Sequence, residues 1–279
     1  MPSSPDTLTI GGDLQVSRLG FGAMRITGPK ILGWPDDREN ALRVLRRAVE
    51  LGVDFIDTAD AYGPEVSELL IAEALHPYPD GLVIATKGGL LRTSSGAWPN
   101  DGTPEHLREA CEGSLRRLRV ERIDVYQLHA PDPQVPIEES VGELARLRGE
   151  GKIRHVGLSN VSVDELRRAQ ALVPIVSVQN RYSLEDRSSE DMVEECESLG
   201  IAFLPWHPLE AGDLAHGGGA VGRVADARSA RPVQIALAWL LARSPVVVAI
   251  PGTGSISHLE ENVAAAELRL TDAELAALG

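Results

Sequence analysis

Eight times along the chain a short, continuous apolar run precedes a longer stretch whose apolar residues recur at helical spacing, and few folds accommodate that rhythm. The runs fall near 18–22, 53–57, 82–86, 122–128, 154–158, 174–178, 201–205 and 246–250. Their helical partners fall near 38–51, 65–75, 104–118, 137–149, 163–171, 188–199, 232–243 and 258–267. Runs such as Leu82-Val83-Ile84-Ala85 and Val246-Val247-Val248-Ala249-Ile250 carry no polar alternate position, so each suits a parallel strand covered on both faces. Eight strand-helix units favour an α/β protein of the (β/α)8 TIM barrel type over an open doubly wound sheet. Ahead of them, residues 8–10 and 14–16 flank Gly-Gly-Asp and read as an N-terminal β-hairpin that closes the bottom of the barrel.

The helix starts carry capping chemistry. Thr103 precedes Pro104, and Ser162, Ser257 and Thr271 are each followed three residues later by glutamate. No linker or low-complexity segment interrupts the alternation, so residues 1–279 are expected to form a single barrel domain. The glycine run at 217–222 matches G-x-G-x-x-G but does not directly follow a strand, and it reads as a flexible loop.

In a barrel the chemistry sits at the C-terminal ends of the strands, which directs attention to the polar residues there. In Val53-Asp54-Phe55-Ile56-Asp57-Thr58-Ala59-Asp60-Ala61-Tyr62-Gly63 the second strand runs into a carboxylate and a phenol. Lys87 ends the third strand and His129 the fourth. Lysine occurs only at positions 30, 87 and 152, arginine supplying the rest of the 27 cationic side chains, so a lysine at a strand end is unexpected. A phenol of ordinary pKa, about 10, is a poor acid until a cation favours its anion. Lys87 supplies that cation, Asp57 holds the ammonium, and His129 donates to the same substrate oxygen as Tyr62. The four form a candidate catalytic group that polarises a carbonyl and protonates the alkoxide formed when hydride arrives. Asp60 reads as a loop or cap residue.

The formal net charge of −14 disfavours nucleic acid and anionic membrane surfaces, so a phosphate-bearing ligand needs a local site. The best candidate is Pro251-Gly252-Thr253-Gly254-Ser255, between the eighth strand and a helix whose N-terminus can hold an anion. Ser159 and Asn160 after the fifth strand, Gln179 after the sixth and Trp206 after the seventh suit a nicotinamide ring and its carboxamide. Met24, Trp34, Trp98 and Ala130, on loops of the same face, are candidate walls of a substrate pocket. Cys111 and Cys196 lie far apart in helical stretches, which implies reduced thiols, no metal site and a cytoplasmic setting. The first residues lack the basic-then-apolar pattern of a secretory leader.

Six motifs in order resemble the aldo-keto reductase family: residues 57–63, Thr86-Lys87, residues 126–129, 151–160 and 178–182, and Ile250-Pro251-Gly252-Thr253. The resemblance implies NADP(H)-dependent reduction of a small aldehyde or ketone, with NADH possible. Asp57, Tyr62, Lys87 and His129 would be the catalytic tetrad, and Ser159, Asn160, Gln179 and Trp206 the nicotinamide contacts. Pro208 and Leu209 would also border the cofactor, and Glu261 and Asn262 would take the adenine. Gly252 and His258 stand where many members carry the lysine and arginine that grip the 2′-phosphate, leaving Thr253, Ser255, His258 and backbone amides for that task. Ala130 replaces the usual tryptophan after the catalytic histidine, which implies an open pocket. Phe21-Gly22-Ala23-Met24 with Gly28-Pro29, and residues 74–78, are similar to short bacterial members that include pyridoxal reductases, making pyridoxal the leading substrate candidate. A redox-sensing subunit that binds NADP(H) with little turnover is the alternative. A Schiff-base aldolase using Lys87 leaves Tyr62 and the 251–255 segment without a role.

Overall fold

The computed structural model describes residues 7–207 and 219–279. The antiparallel pair β1 (Thr7–Ile10) and β2 (Leu14–Ser17) precedes a seven-stranded parallel sheet in sequential order. Its strands are β3 (Phe21–Gly22), β4 (Phe55–Asp57), β5 (Val83–Gly88), β6 (Ile123–Leu128), β7 (Ile153–Ser159), β8 (Ile175–Gln179) and β9 (Ala202–Phe203). The expected eighth strand closes the ring through isolated bridges. Val247 pairs with Phe203 of β9, and Ala249 pairs with Leu19 just before β3. The amides of Val248 and Gly20 donate across these seams to Phe203 and Ala249 at 2.9 and 2.8 Å. The result is a (β/α)8 barrel with a short closing strand.

Between the strands run α1 (Arg38–Glu50), α2 (Val66–Leu75), α3 (Pro104–Leu118), α4 (Ile137–Gly149), α5 (Val163–Gln170) and α6 (Glu190–Leu199). After β9 come α7 (Gly219–Arg228), α8 (Pro232–Arg243), α9 (Ile256–Ala264) and α10 (Asp272–Leu278). The start of α1 follows from its sequence: Asp37 accepts from the Asn40 amide, and Ala41, Leu42, Val44, Leu45 and Ala48 turn one face inward. Ser162 and Thr271 form the expected capping boxes with Glu165 and Glu274. At α9 the cap is Ser255 rather than Ser257. Ser255 Oγ accepts from His258 N, and the Ser257 hydroxyl is drawn to Ser255 Oγ at 2.9 Å. Of the glycine run at 217–222 read as a loop, residues 217 and 218 lie outside the described residues, and the rest differs from expectation because Gly219 to Gly222 open α7. Val221, Val224 and Ala225 bury against Ile235 and Ala236 of α8, and that packing outweighs the poor helix propensity of glycine.

Inside the barrel, Phe55, Val83, Ala85, Val125, Val176, Ala202, Leu204 and Val248 form one apolar cluster with Ile10, Leu14 and Val16 of the hairpin. The hairpin therefore plugs the lower end. It is clamped by Asp13, which meets His155 at 2.6 Å and Arg154 at 2.7 Å, and by Asp54, which accepts from the Ser17 amide at 2.8 Å. Further up each strand the inward positions become polar.

Candidate active site

Period-two alternation puts every second residue of a strand on one face, so the inward apolar residues determine what stands above them. Phe55 is followed by Asp57, Ala85 by Lys87, Val125 by Gln127 and Ser177 by Gln179. These side chains meet. Lys87 Nζ donates to Asp57 Oδ2 at 2.7 Å and to the Thr58 carbonyl at 2.8 Å, and reaches Tyr62 Oη at 3.4 Å. Asp57 Oδ1 accepts from Gln127 Nε2 at 3.2 Å and from Gln179 Nε2 at 2.8 Å. The carboxylate thus uses both oxygens and the ammonium all three protons, which a fully buried ion pair requires. Gly157 makes room for this layer: a Cβ there would meet Ser177 Oγ at 2.3 Å and Gln127 Cγ at 2.8 Å.

Tyr62 and His129 face each other edge to face with ring centroids 5.8 Å apart. The His129 backbone is fixed on both sides, since its amide donates to Gly88 O at 2.9 Å and its carbonyl accepts from Asn160 Nδ2 at 2.9 Å, while the ring Nδ1 is buried without a hydrogen-bond partner. Asn160 adopts a left-handed conformation with φ of 59° and accepts from Trp206 Nε1 at 2.9 Å, so the ends of β6 and β7 and the segment after β9 are tied together.

Burial dominates the titration of these groups. It raises the Tyr62 phenol above its usual range, and the Lys87 ammonium offsets this only in part, against the expectation that the cation would prevail. Burial alone would lower Lys87, but Asp57 and Tyr62 outweigh it and its pKa rises. His129 is pushed well below the ordinary imidazole range by burial and then by Lys87, so it is neutral at physiological pH. The site therefore presents a protonated phenol, a charged lysine and a neutral imidazole. Asp60, in the loop between β4 and α2, has Oδ1 buried and unpartnered, and burial followed by the Glu68 charge pushes its carboxyl up to about 8.

A cavity of about 910 Å³ opens above, near the upper end of the range for ligand pockets. Asp57, Tyr62 and His129 contribute to its lining, as do Met24, Ile31, Leu90 and Trp98. Ser159, Asn160, Gln179 and Trp206 line it as well, together with Gly252, Thr253, Gly254, His258, Glu261 and Asn262. Among the described residues, four expected ones do not line it: Trp34, Ala130, Ser255 and Lys87. Trp34 is 46% exposed and stacks under the Arg38 guanidinium at 4.8 Å, drawn outward where Gly33 N bonds to Gly63 O. Ala130 is half-buried behind His129, and Ser255 is occupied as the α9 cap. Lys87 sits fully buried behind Tyr62, and Pro208 and Leu209 lie outside the described residues.

Sequence reasoning missed residues both beneath the cavity and on its wall. Gln127, fully buried against Asp57 below the cavity, could have been found by counting two residues back from His129 along β6. Arg25, in the turn after β3, and Arg231, the residue before α8, bring cations to the wall shared with His258 and Gly252. Arg231 also lies 3.6 Å from Glu261. No pattern at their own positions marks them; only the fold gathers them. Among the described residues, no cluster of side chains could hold a metal ion, and no helix is long and apolar enough to cross a membrane.

A barrel with a buried Asp-Lys pair behind a phenol, opening on a cavity with a cationic wall, defines the class to which this protein belongs. The sequence pattern of the aldo/keto reductase family matches residues 18–279, and the chain is a member of that family. It is 50% identical to an uncharacterized oxidoreductase of Schizosaccharomyces pombe, over 96% of this chain and 87% of that one. It is 41% identical to pyridoxine 4-dehydrogenase of Escherichia coli, over 99% of this chain and 98% of the relative. A solved aldo/keto reductase of Klebsiella pneumoniae in complex with NADP and acetate superposes with a TM-score of 0.83 at 29% identity, covering 98% of this chain and 94% of that one.

Proposed function

We propose that the protein reduces an aldehyde or ketone to an alcohol with NADP(H), reversibly, with Tyr62 as the general acid. The observation that carries this reading is the buried line from Asp57 through Lys87 to Tyr62, ending at the cavity beside a neutral His129. The residues present fit a dinucleotide. Arg25 and Arg231 give an otherwise acidic protein local cations on a wall that His258 and the N-terminus of α9 also border, while Glu261 and Asn262 offer polar groups for a base. Gly252 lets this segment pack against the backbone at the end of β3: a Cβ there would meet Gly22 O at 2.5 Å. When bound, the reduced nicotinamide supplies the hydride.

Tyr62 donates its proton to the substrate oxygen as negative charge develops there. Lys87 remains charged and stabilises the phenolate left behind, and Asp57 fixes the ammonium. His129, being neutral, donates an N–H to the same oxygen without competing as a cation. Gln127 and Gln179 orient Asp57, and the remaining amide oxygen of Gln179 is its free polar atom toward the cavity. Met24, Ile31, Leu90 and Trp98 surround the substrate.

Pyridoxal is our leading substrate, supported by the relative that is a pyridoxine 4-dehydrogenase and by the apolar walls around Tyr62. Positioned acid catalysis contributes about 10²–10⁴ in rate. Tyr62→Phe is therefore expected to lose at least about 10²-fold in turnover, followed as NADPH absorbance, while its NADPH dissociation constant holds. Near-normal turnover by that variant refutes the assignment. A panel of aldehydes and ketones including pyridoxal, run with NADPH and NADH in parallel, tests substrate and cofactor together.

A further inference from the structure

The substrate end of the cavity is built from two loops that are not neighbours in the barrel. One spans residues 23–37 after β3 and contributes Met24 and Ile31; the other spans 89–103 after β5 and contributes Leu90 and Trp98. Each is anchored on its own strand. The first is pinned where Leu32 bridges Gly63, next to Tyr62, and the second folds into a small hairpin through the Leu90–Asn100 bridge and the Leu91 N to Pro99 O bond at 2.8 Å.

Among the described residues, one side chain makes the only hydrogen bond between the loops. Arg92 donates through Nη2 to the Lys30 carbonyl and through Nη1 to the Gly96 carbonyl of its own loop. Its guanidinium carbon lies 4.3 Å from the centre of the Trp98 ring. The acceptor side is unusual. Lys30 and Ile31 both adopt left-handed backbone, with φ of 58° and 62°, which a β-branched residue rarely tolerates. Such a conformation persists only where its surroundings hold it, and the bond to Arg92 fixes the Lys30 carbonyl one residue before Ile31.

We propose that Arg92 is a positioning residue that selects flat aromatic aldehydes, by holding Trp98 and Ile31 as walls of the substrate end. One guanidinium binds the strained loop, closes its own hairpin and covers the indole, so the three elements move together. With that ring fixed beside Met24, Leu90 and Ile31, an aromatic aldehyde gains ring and thioether contacts that a small aliphatic one does not reach. The proposal rests on the carbonyl-reductase reading for its turnover arm only.

The test is Arg92→Met, which keeps an apolar stem and removes the fork. KM for 4-nitrobenzaldehyde is expected to rise about 10-fold, the scale of one aromatic contact, with kcat little changed. The kcat/KM for propanal and the NADPH dissociation constant are expected to stay at parent values. Trp98→Ala should show the same loss, and the double variant should be no worse than Trp98→Ala alone. Arg92→Lys, which keeps a cation near the indole without bridging two carbonyls, should fall between parent and Arg92→Met. The product alcohol, 4-nitrobenzyl alcohol, titrated by tryptophan fluorescence with no NADP+ present so that it cannot react, should show the same weakening without turnover. Equal losses for both aldehydes, a fall confined to kcat, or additive losses in the double variant overturn the proposal, as does unchanged alcohol affinity. Absence of aldehyde turnover in the parent, with the binding contrast intact, refutes the reductase reading instead.

Discussion

Removing one partner of the Asp57–Lys87 pair should cost more stability than removing both. The two charges stand 2.7 Å apart with side chains almost wholly buried. At an effective dielectric of about 20 their attraction is about 6 kcal/mol, set against the cost of taking both from water. Lys87→Met leaves the carboxylate buried with only the Gln127 and Gln179 amides to answer it, and Asp57→Asn leaves the ammonium facing an amide in place of a carboxylate. Each single change is expected to cost about 3–5 kcal/mol, a large part of the about 5–15 kcal/mol that stabilises a typical domain. Combining the two removes the buried charge altogether, so the double variant should be more stable than either single one. Urea unfolding of the parent and the three variants by far-UV circular dichroism checks this. Turnover should be lost in all three, so stability returns without activity. Costs that simply add would show that the charges do not depend on each other and would refute the reasoning.

Two further outcomes follow from charges near the site. Because burial holds the Asp60 carboxyl near 8, the folded chain keeps a proton that the unfolded chain releases above its ordinary value near 4. That group therefore subtracts stability as pH rises from about 4 to 8. Asp60→Asn should raise the melting temperature over the parent by more at pH 8.5 than at pH 5, and an equal gain at both would be contrary. Arg231 lines the cavity together with Gly252 and His258. On the proposed function, Arg231→Ala should weaken NADPH about 10-fold, the worth of one charge-assisted hydrogen bond, and leave NADH unchanged in fluorescence titrations.

Much of this was legible in the chain because barrel strands impose two strict periods. The apolar runs give the strand count, and a polar residue following a run stands at the upper end of its strand, which is how Asp57, Lys87 and His129 stand out in the sequence. What escaped depended on contacts between distant segments. Trp34 looked like a pocket wall, but the Gly33–Gly63 hydrogen bond and the Arg38 stack carry it outward. Gly219 to Gly222 looked like a loop, yet burial against α8 makes them helical. Arg25 and Arg231 are unremarkable arginines until the ring closes and sets one beside the other's wall. The titration of Tyr62 was misjudged for a related reason, since sequence shows the cation but not the depth at which phenol and cation are buried.

The hairpin plug has a consequence for traffic. Below the Asp57–Lys87 layer the barrel is packed with apolar side chains and sealed by Ile10, Leu14 and Val16, so apolar packing separates that layer from the lower end. On the proposed function, a phenol that has given up its proton is recharged through the same mouth by which the alcohol departs. Reprotonation and product exit would then share one door, and a further cycle would begin only when that door has been cleared.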